Sequence, residues 1–212
     1  MNNKYPRTFH LPFSPGVSSD DRIIETIDYF KDKEIVVTEK IDGECSGLTS
    51  VLCHARSLDS KNHPSRNWIK SLHGQIKHEI PSGWKIFGEN VYALHSIHYH
   101  NLETYFYVFS MYNDKNFCLS WNETVEYVEL LGLKTAPVLY RGVWDENKVK
   151  ACWTGISTVS PGDQQEGYVV RLAESFHYDD FSRSVVKFVR DKHVSTDEHW
   201  LEKPVVPNLL RK

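Results

Sequence analysis

The sequence predicts an α+β fold built on antiparallel sheets flanked by helices. Short β-branched or aromatic segments recur along most of the chain, only two segments carry helical spacing between them, and no repeat or low-complexity tract interrupts the pattern. Thr8 to Gly16 is turn-rich, the chain up to Gly16 holding three prolines and one glycine, and reads as an ordered loop. Glu34–Glu39 is a strand that runs straight into Lys40. Ser46 to Leu52 is a second strand, so Asp42-Gly43 reads as the turn of a hairpin. Ser65 to Glu79 is predicted helical, with Trp68, Leu72 and Ile76 four residues apart. Trp84–Phe87 and Thr104–Met111 are strands. Ser120-Trp-Asn-Glu123 is a capping box that opens a helix stopped by Gly132. Pro137–Tyr140, Gly167–Leu172 and Ser184–Val189 complete the strands.

The 212 residues, 40% hydrophobic and 25% charged, suffice for one large domain or two small ones. No apolar run approaches the length of a membrane span, and Met1 to Arg7 lacks the apolar core of a signal peptide. Cys45, Cys53, Cys118 and Cys152 form no C-x-x-C pair and read as reduced thiols of a cytoplasmic protein. The net charge of −3 argues weakly against nucleic acid, but the charge is unevenly placed. Lys61 to Lys85 carries five cations against Glu79, and Arg183 to Lys192 carries four against Asp191. Asn101 to Leu130 instead carries five anions against Lys115. Such asymmetry fits a basic face assembled from distant segments; taken singly, each basic segment reads as a solvated face.

The sharpest chemical signal is Lys40-Ile41-Asp42-Gly43 at a strand end. A tight turn fixes the direction of the lysine. A free lysine is neutral in only about one molecule in 2,500 at pH 7, so a nucleophilic amine is expected beside cations or a metal that depress its pKa. The motif is followed, in order, by Arg56-Ser57, Phe87-Gly88-Glu89, the aromatic strand around Phe109, Glu166-Gly167-Tyr168-Val169-Val170, and Val186-Lys187-Phe188-Val189. Walker A and G-x-G-x-x-G phosphate loops are absent. His95, His98 and His100 cluster without a cysteine pair, which is poor support for structural zinc; groove-lining or phosphate contact is the expectation.

These six motifs in series resemble the covalent nucleotidyltransferase superfamily of ATP-dependent ligases and capping enzymes, and are most similar to the RNA ligase family, over about residues 34–190. The resemblance implies an adenylation domain with its nucleotide pocket between the sheets. It also implies ATP as co-substrate, Mg²⁺ or Mn²⁺, RNA ends as partners and a monomer. Lys40 would carry AMP as a lysyl-adenylate. Glu39 would help read the adenine edge, Asp42 and Gly43 would complete the nucleotide motif, and Arg56 would contact the ribose and phosphate side. Glu89 would hold the ribose hydroxyls, Phe109 would stack on adenine, Lys187 would neutralise the α-phosphate, and Glu166 would bind the metal. AMP would then pass to a 5′-phosphate, and a 3′-hydroxyl would displace it.

Two positions depart from the family pattern. Val189 stands where a second lysine is usual, with Arg7 or Lys61 as candidate substitutes, and Ser110 stands where an acid is common. The expected organisation is one catalytic domain over 1–212: an N-terminal loop and helix (1–33), a motif-bearing core (34–190) and a tail (191–212) without an OB-fold. The segment His193 to Trp200 and the loop around Arg7 and His10 resemble a compact RNA ligase subgroup. Rival readings are GTP-dependent capping, AMP transfer to protein, joining of DNA ends, and an idle module that binds RNA ends.

Overall fold

The computed structural model describes residues 4–58, 62–191 and 204–212. In chain order its elements are β1 (Phe9–His10), β2 (Glu34–Lys40), β3 (Glu44–Leu48), β4 (Cys53–Ala55), α1 (Asn67–Ile76), β5 (Lys85–Asn90), β6 (Phe106–Tyr112), β7 (Phe117–Cys118) and α2 (Trp121–Leu130). They continue with β8 (Lys134–Thr135), β9 (Val138–Val143), α3 (Glu146–Ala151), β10 (Gly167–Leu172), β11 (Phe176–His177), α4 (Phe181–Ser184) and β12 (Val185–Val189). One sheet has the order β1-β12-β10-β2-β9. The other runs β11-β7-β6-β5-β3-β4, with β8 pairing β6. All pairings are antiparallel except β1 with β12 and β6 with β8. The α+β class and the antiparallel sheets are therefore as the sequence predicts.

Strand alternation gives the five-stranded sheet two chemically different faces. Ile35 and Val37 on β2, Tyr168 and Val170 on β10, and Val186 and Phe188 on β12 form one apolar core with Leu11, Ile24 and Phe30 of the N-terminal segment and Val149 of α3. The opposite face turns Thr38, Lys40, Val169, Arg171 and Lys187 toward a cavity. In the seven-stranded sheet, Leu48, Ile86, Phe106 and Val108 pack against Ile69 and Ile76 of α1 and Val128 of α2. The capping box forms as predicted: Ser120 accepts from the Glu123 N–H, and Glu123 accepts from the Ser120 N–H.

Two local expectations fail. Asp42-Gly43 does not close a hairpin, since β2 pairs β10 and β9 whereas β3 pairs β4 and β5. The motif is instead a crossing between the two sheets. The Asp-Gly pair favours a sharp turn but does not dictate that the flanking strands pair with each other. The predicted strand over Ser46–Leu52 also ends at Leu48. There Thr49 takes the Leu52 N–H on its hydroxyl and closes a turn through its own N–H to Leu52 O. Among the described residues, no helix is long and apolar enough to cross a membrane.

Candidate active site

Lys40 is the last residue of β2, and its side chain enters a cavity of about 600 Å³ between the two sheets. Its Nζ donates to Glu166 Oε2 at 2.6 Å. Glu166 immediately precedes β10, whose first residue, Gly167, pairs with Lys40 across the sheet. A Cβ on Gly167 would lie 2.0 Å from Phe188 O, so only glycine allows β12 to approach so closely beside Glu166. Glu89 comes from β5, opposite Cys45 of β3. A Cβ on Gly43 would meet Asn90 O at 2.6 Å and the Glu89 side chain at 3.0 Å. Gly43 therefore permits the crossing strand to bring Lys40 and Glu89 into one cavity.

The electrostatics run opposite to the expectation of a depressed lysine. Burial alone would lower the Lys40 pKa, but the Glu166, Glu89 and Asp42 carboxylates outweigh it and hold the ammonium above its ordinary value. With only the protein's own groups around it, Lys40 stays protonated. Its acidic neighbours carry the reciprocal strain. Burial pushes Glu89 up to about 8 despite the pull of Lys40, and repulsion from Glu166 adds to the rise. Burial likewise pushes Glu166 up to about 7, again against the pull of Lys40. Two carboxyls, both raised by burial, thus share one ammonium.

Glu39 and Asp42 have different surroundings. The Glu39 carboxylate is buried and accepts from Ser157 Oγ (2.6 Å), Thr158 N (2.6 Å) and Val159 N (3.1 Å). It fixes the 157–159 loop, so its oxygens already face protein donors where a reading of the adenine edge was expected. Asp42 Oδ2 accepts from Ser96 N (2.7 Å), Ser96 Oγ (2.8 Å) and Ile97 N (2.7 Å), fastening the 96–97 segment. Both residues still border the lysine through the chain, and Glu39 and Gly43 line the cavity.

Arg56, Phe109 and Lys187 also line the cavity. Simple alternation would set Phe109 and Ser110 on opposite faces. Instead the β5–β6 register jumps from Phe87↔Ser110 to Gly88↔Val108, leaving Phe109 as the extra residue of a bulge. The bulge lets both residues border the cavity. Tyr5 packs edge-on to Phe109, with ring centroids 5.0 Å apart. Ser110, at the position where an acid was noted as common, is buried with its hydroxyl 3.2 Å from Cys118 Sγ. Lys187 Nζ lies 3.3 Å from Asp21 Oδ1. Burial and the nearby Lys40 charge lower the Lys187 pKa, and Asp21 only partly restores it.

Val189 is buried, its N–H donating to Ser14 Oγ and its carbonyl accepting from Gly16 N–H. The N-terminal loop thus covers the place of the second lysine. Arg7, one candidate substitute, lines the cavity; Lys61, the other, lies outside the described residues, as does the 193–200 segment. Of the three clustered histidines, only His95 reaches the cavity wall. His100 pairs with Asp163 at 2.8 Å, and His98 contacts Pro207 O at 3.3 Å. Among the described residues, no group of three or more His, Cys, Asp or Glu is arranged to hold a metal.

Several cavity residues escaped the sequence reading: Tyr5, Asp21, the buried ion pair of Glu44 with Arg66 (Nε to Oε2, 2.7 Å), and Arg171. None sits in a recognisable motif. Asp21 meets Lys187 across 166 residues of chain, a contact without a local signature.

Comparison with known proteins agrees with this architecture. The RNA ligase family model matches residues 33–189. No curated protein matches the chain. Among solved structures, Naegleria gruberi RNA ligase with pyrophosphate is similar with a TM-score of 0.55 and 17% identity, covering 91% of this chain and 59% of that one. A variant of the same ligase with ATP and Mn gives 0.54 and 16%, covering 89% and 58%. Another variant, with AMP and Mn, gives 0.56 and 16% over the same shares. At this identity the likeness establishes the fold, and the chain spans about three-fifths of the length of those ligases. With the family model matching most of its length, the chain belongs to the RNA ligase family.

Proposed function

We propose that this chain is an ATP-dependent RNA ligase that takes AMP onto Lys40 and passes it to the 5′-phosphate of an RNA end for attack by a 3′-hydroxyl. The observation that carries this reading is the joint placement of Lys40, Glu89 and Lys187, from three different strands, on the wall of one cavity between the sheets, with the buried Glu166 behind the wall bonded to Lys40. The Lys40 nitrogen bonds to the α-phosphorus as pyrophosphate leaves. Its own proton must depart first, and Glu166 at 2.6 Å is the immediate acceptor. Lys187 offsets the α-phosphate charge, Phe109 offers a ring to the base, and Glu89 offers acceptors to the ribose hydroxyls. The roles of Arg56, on the nucleotide's ribose and phosphate side, and of Gly43, in bringing the two walls together, belong to the same proposal. Glu39 and Asp42 act here through the loops they hold.

The donor set fits a divalent cation. Glu166 and Glu89 would supply hard oxygen ligands; burial above all raises their pKa values, and the Lys40 charge only partly offsets it. Two carboxylates with water and phosphate oxygens suit Mg²⁺ or Mn²⁺. Such an ion, when bound, offsets the carboxylate and phosphate charge that otherwise keeps Lys40 protonated.

The test is incubation of the protein with α-labelled ATP or GTP and Mg²⁺ or Mn²⁺, followed by 5′-phosphorylated RNA and DNA ends. ATP-specific covalent labelling of the protein, stable to alkali and lost in acid as a lysyl phosphoramidate is, and its discharge into joined RNA are expected. Labelling by GTP would favour capping, RNA binding without any adduct would favour an idle module, and discharge into DNA ends alone would favour a DNA ligase.

A further inference from the structure

We propose that Arg7, on the N-terminal segment, grips the outer phosphates of the triphosphate at the cavity mouth. The inference rests on the ligase reading above and assigns the part of ATP which that reading leaves without a partner. The outer phosphates carry most of the negative charge of ATP, and with Lys40 directed at the α-phosphorus they extend beyond the AMP-sized part of the site. Several cations border the cavity, but most are committed inside it. Arg66 is buried in its pair with Glu44. Arg171 donates to Leu119 O and lies over the Trp121 and Phe176 rings. Lys187 lies within the field of Lys40, beside the place of the α-phosphate.

Arg7 differs in position and availability. It lines the inner cavity together with Lys40, and it also lines an adjoining open groove of about 570 Å³ with Lys4 and Arg56. It therefore stands where the two spaces meet, as does Arg56 from the opposite wall, which the ligase reading places on the ribose and phosphate side of the nucleotide. Its side chain is 46% exposed, yet it is anchored: the guanidinium donates to Asp20 O and lies 3.4 Å from Asp20 Oδ2. A guanidinium has five N–H donors, so this anchoring leaves others for phosphate. The neighbouring residue, Asp21, holds Lys187 at 3.3 Å, and Ser18 ties both aspartates, its N–H donating to Asp21 and its hydroxyl to Asp20. One turn thus sets the spacing between the inner and the outer cation. The pairing of β1 with β12, His10 opposite Lys187, fixes the segment that carries Arg7.

The test compares AMP, ATP and inorganic tripolyphosphate binding to the Lys40→Ala protein and to the same protein with Arg7→Ala or Arg7→Lys. Lys40→Ala prevents turnover during the titration. Arg7→Ala is expected to weaken ATP and tripolyphosphate by about 10- to 100-fold, the loss of one or two charge-assisted bonds. AMP affinity should stay unchanged, and Arg7→Lys should recover part of the loss. Equal ATP affinity with and without Arg7 overturns the proposal, as does a parallel fall in AMP affinity, which would mark a structural role. Failure of the wild-type protein to form an adduct with ATP would instead sink the ligase reading, while the binding comparison would still decide the role of Arg7.

Discussion

Glu39 and Asp42 flank the lysine in the chain, whereas Glu89 and Glu166 flank it in space. The first pair is satisfied by neutral donors: six N–H and O–H groups from the 96–97 and 157–159 segments point at two carboxylates. The second pair has one ammonium between them, and the Glu89 carboxylate accepts no hydrogen bond among the described residues. All four are acids within a few residues or ångströms of the same amine. Their difference separates structure from chemistry. An acid ringed by donors spends most of its acceptor capacity on holding a loop. Burial raises the Glu39 carboxyl too, against its three donors; Glu89 and Glu166 are raised by burial and by neighbouring carboxylates, without neutral donors among the described residues, and remain available to a proton or a cation.

The largest expected effect comes from breaking the centre that both pairs surround. Lys40→Ala should abolish the labelled protein–AMP adduct, and a variant that still labels fully would end the assignment. Next, Glu89→Gln and Glu166→Gln should each slow adduct formation by about 100-fold or more. Because Glu89→Gln removes a poorly compensated charge, it should also melt no lower than the parent at pH 8 without divalent cations. If Glu89→Gln instead melts several degrees lower there, Glu89 belongs with the structural pair.

The satisfied acids should show the reverse. Asp42→Ala strands three donors and should cost about 2–4 kcal/mol in denaturant unfolding. Any loss of labelling should then follow the loss of folded protein or of ATP affinity. The last effect is the pH dependence of stability. Glu89 and Glu166 keep their protons to about 8 and about 7 in the folded chain, against 4.5 when exposed. Unfolding between those limits releases protons, so stability falls as pH rises from about 5 toward 8. Lys40, held above its ordinary pKa, stays charged across this window and its contribution is constant there. Melting temperatures at pH 5.5 and 8 should therefore differ by a few degrees, and Mn²⁺ should narrow the gap from the alkaline side. A rise in stability toward pH 8 without metal would contradict the raised carboxyls.

How far the site could be read in advance varied with how local its cause was. The strand into Lys40 and the capping box at Ser120 rest on neighbouring residues, and both form as read. Asp42-Gly43 was legible as a turn but not as a sheet crossing, because its pairing partners lie far along the chain. Phe109 reaches the cavity through a one-residue bulge that no periodicity announces. The protein's own groups hold the Lys40 pKa up for the same reason: the motif gives the amine, but the three carboxylates around it include two brought from 49 and 126 residues away.

By itself, then, the amino-acid order determined the antiparallel α+β class, the nucleophile candidate and the series of motifs that marks the family. These follow from period-two alternation, turn chemistry and residue types at short spacing. The tertiary structure decided which acids are satisfied and which are exposed to one another's charge. It also decided that the N-terminal segment covers Val189 and delivers Arg7 and Asp21 to the cavity. Burial and Coulomb interactions depend on distance through space, and the chain specifies that distance only once both sheets have closed around the cavity.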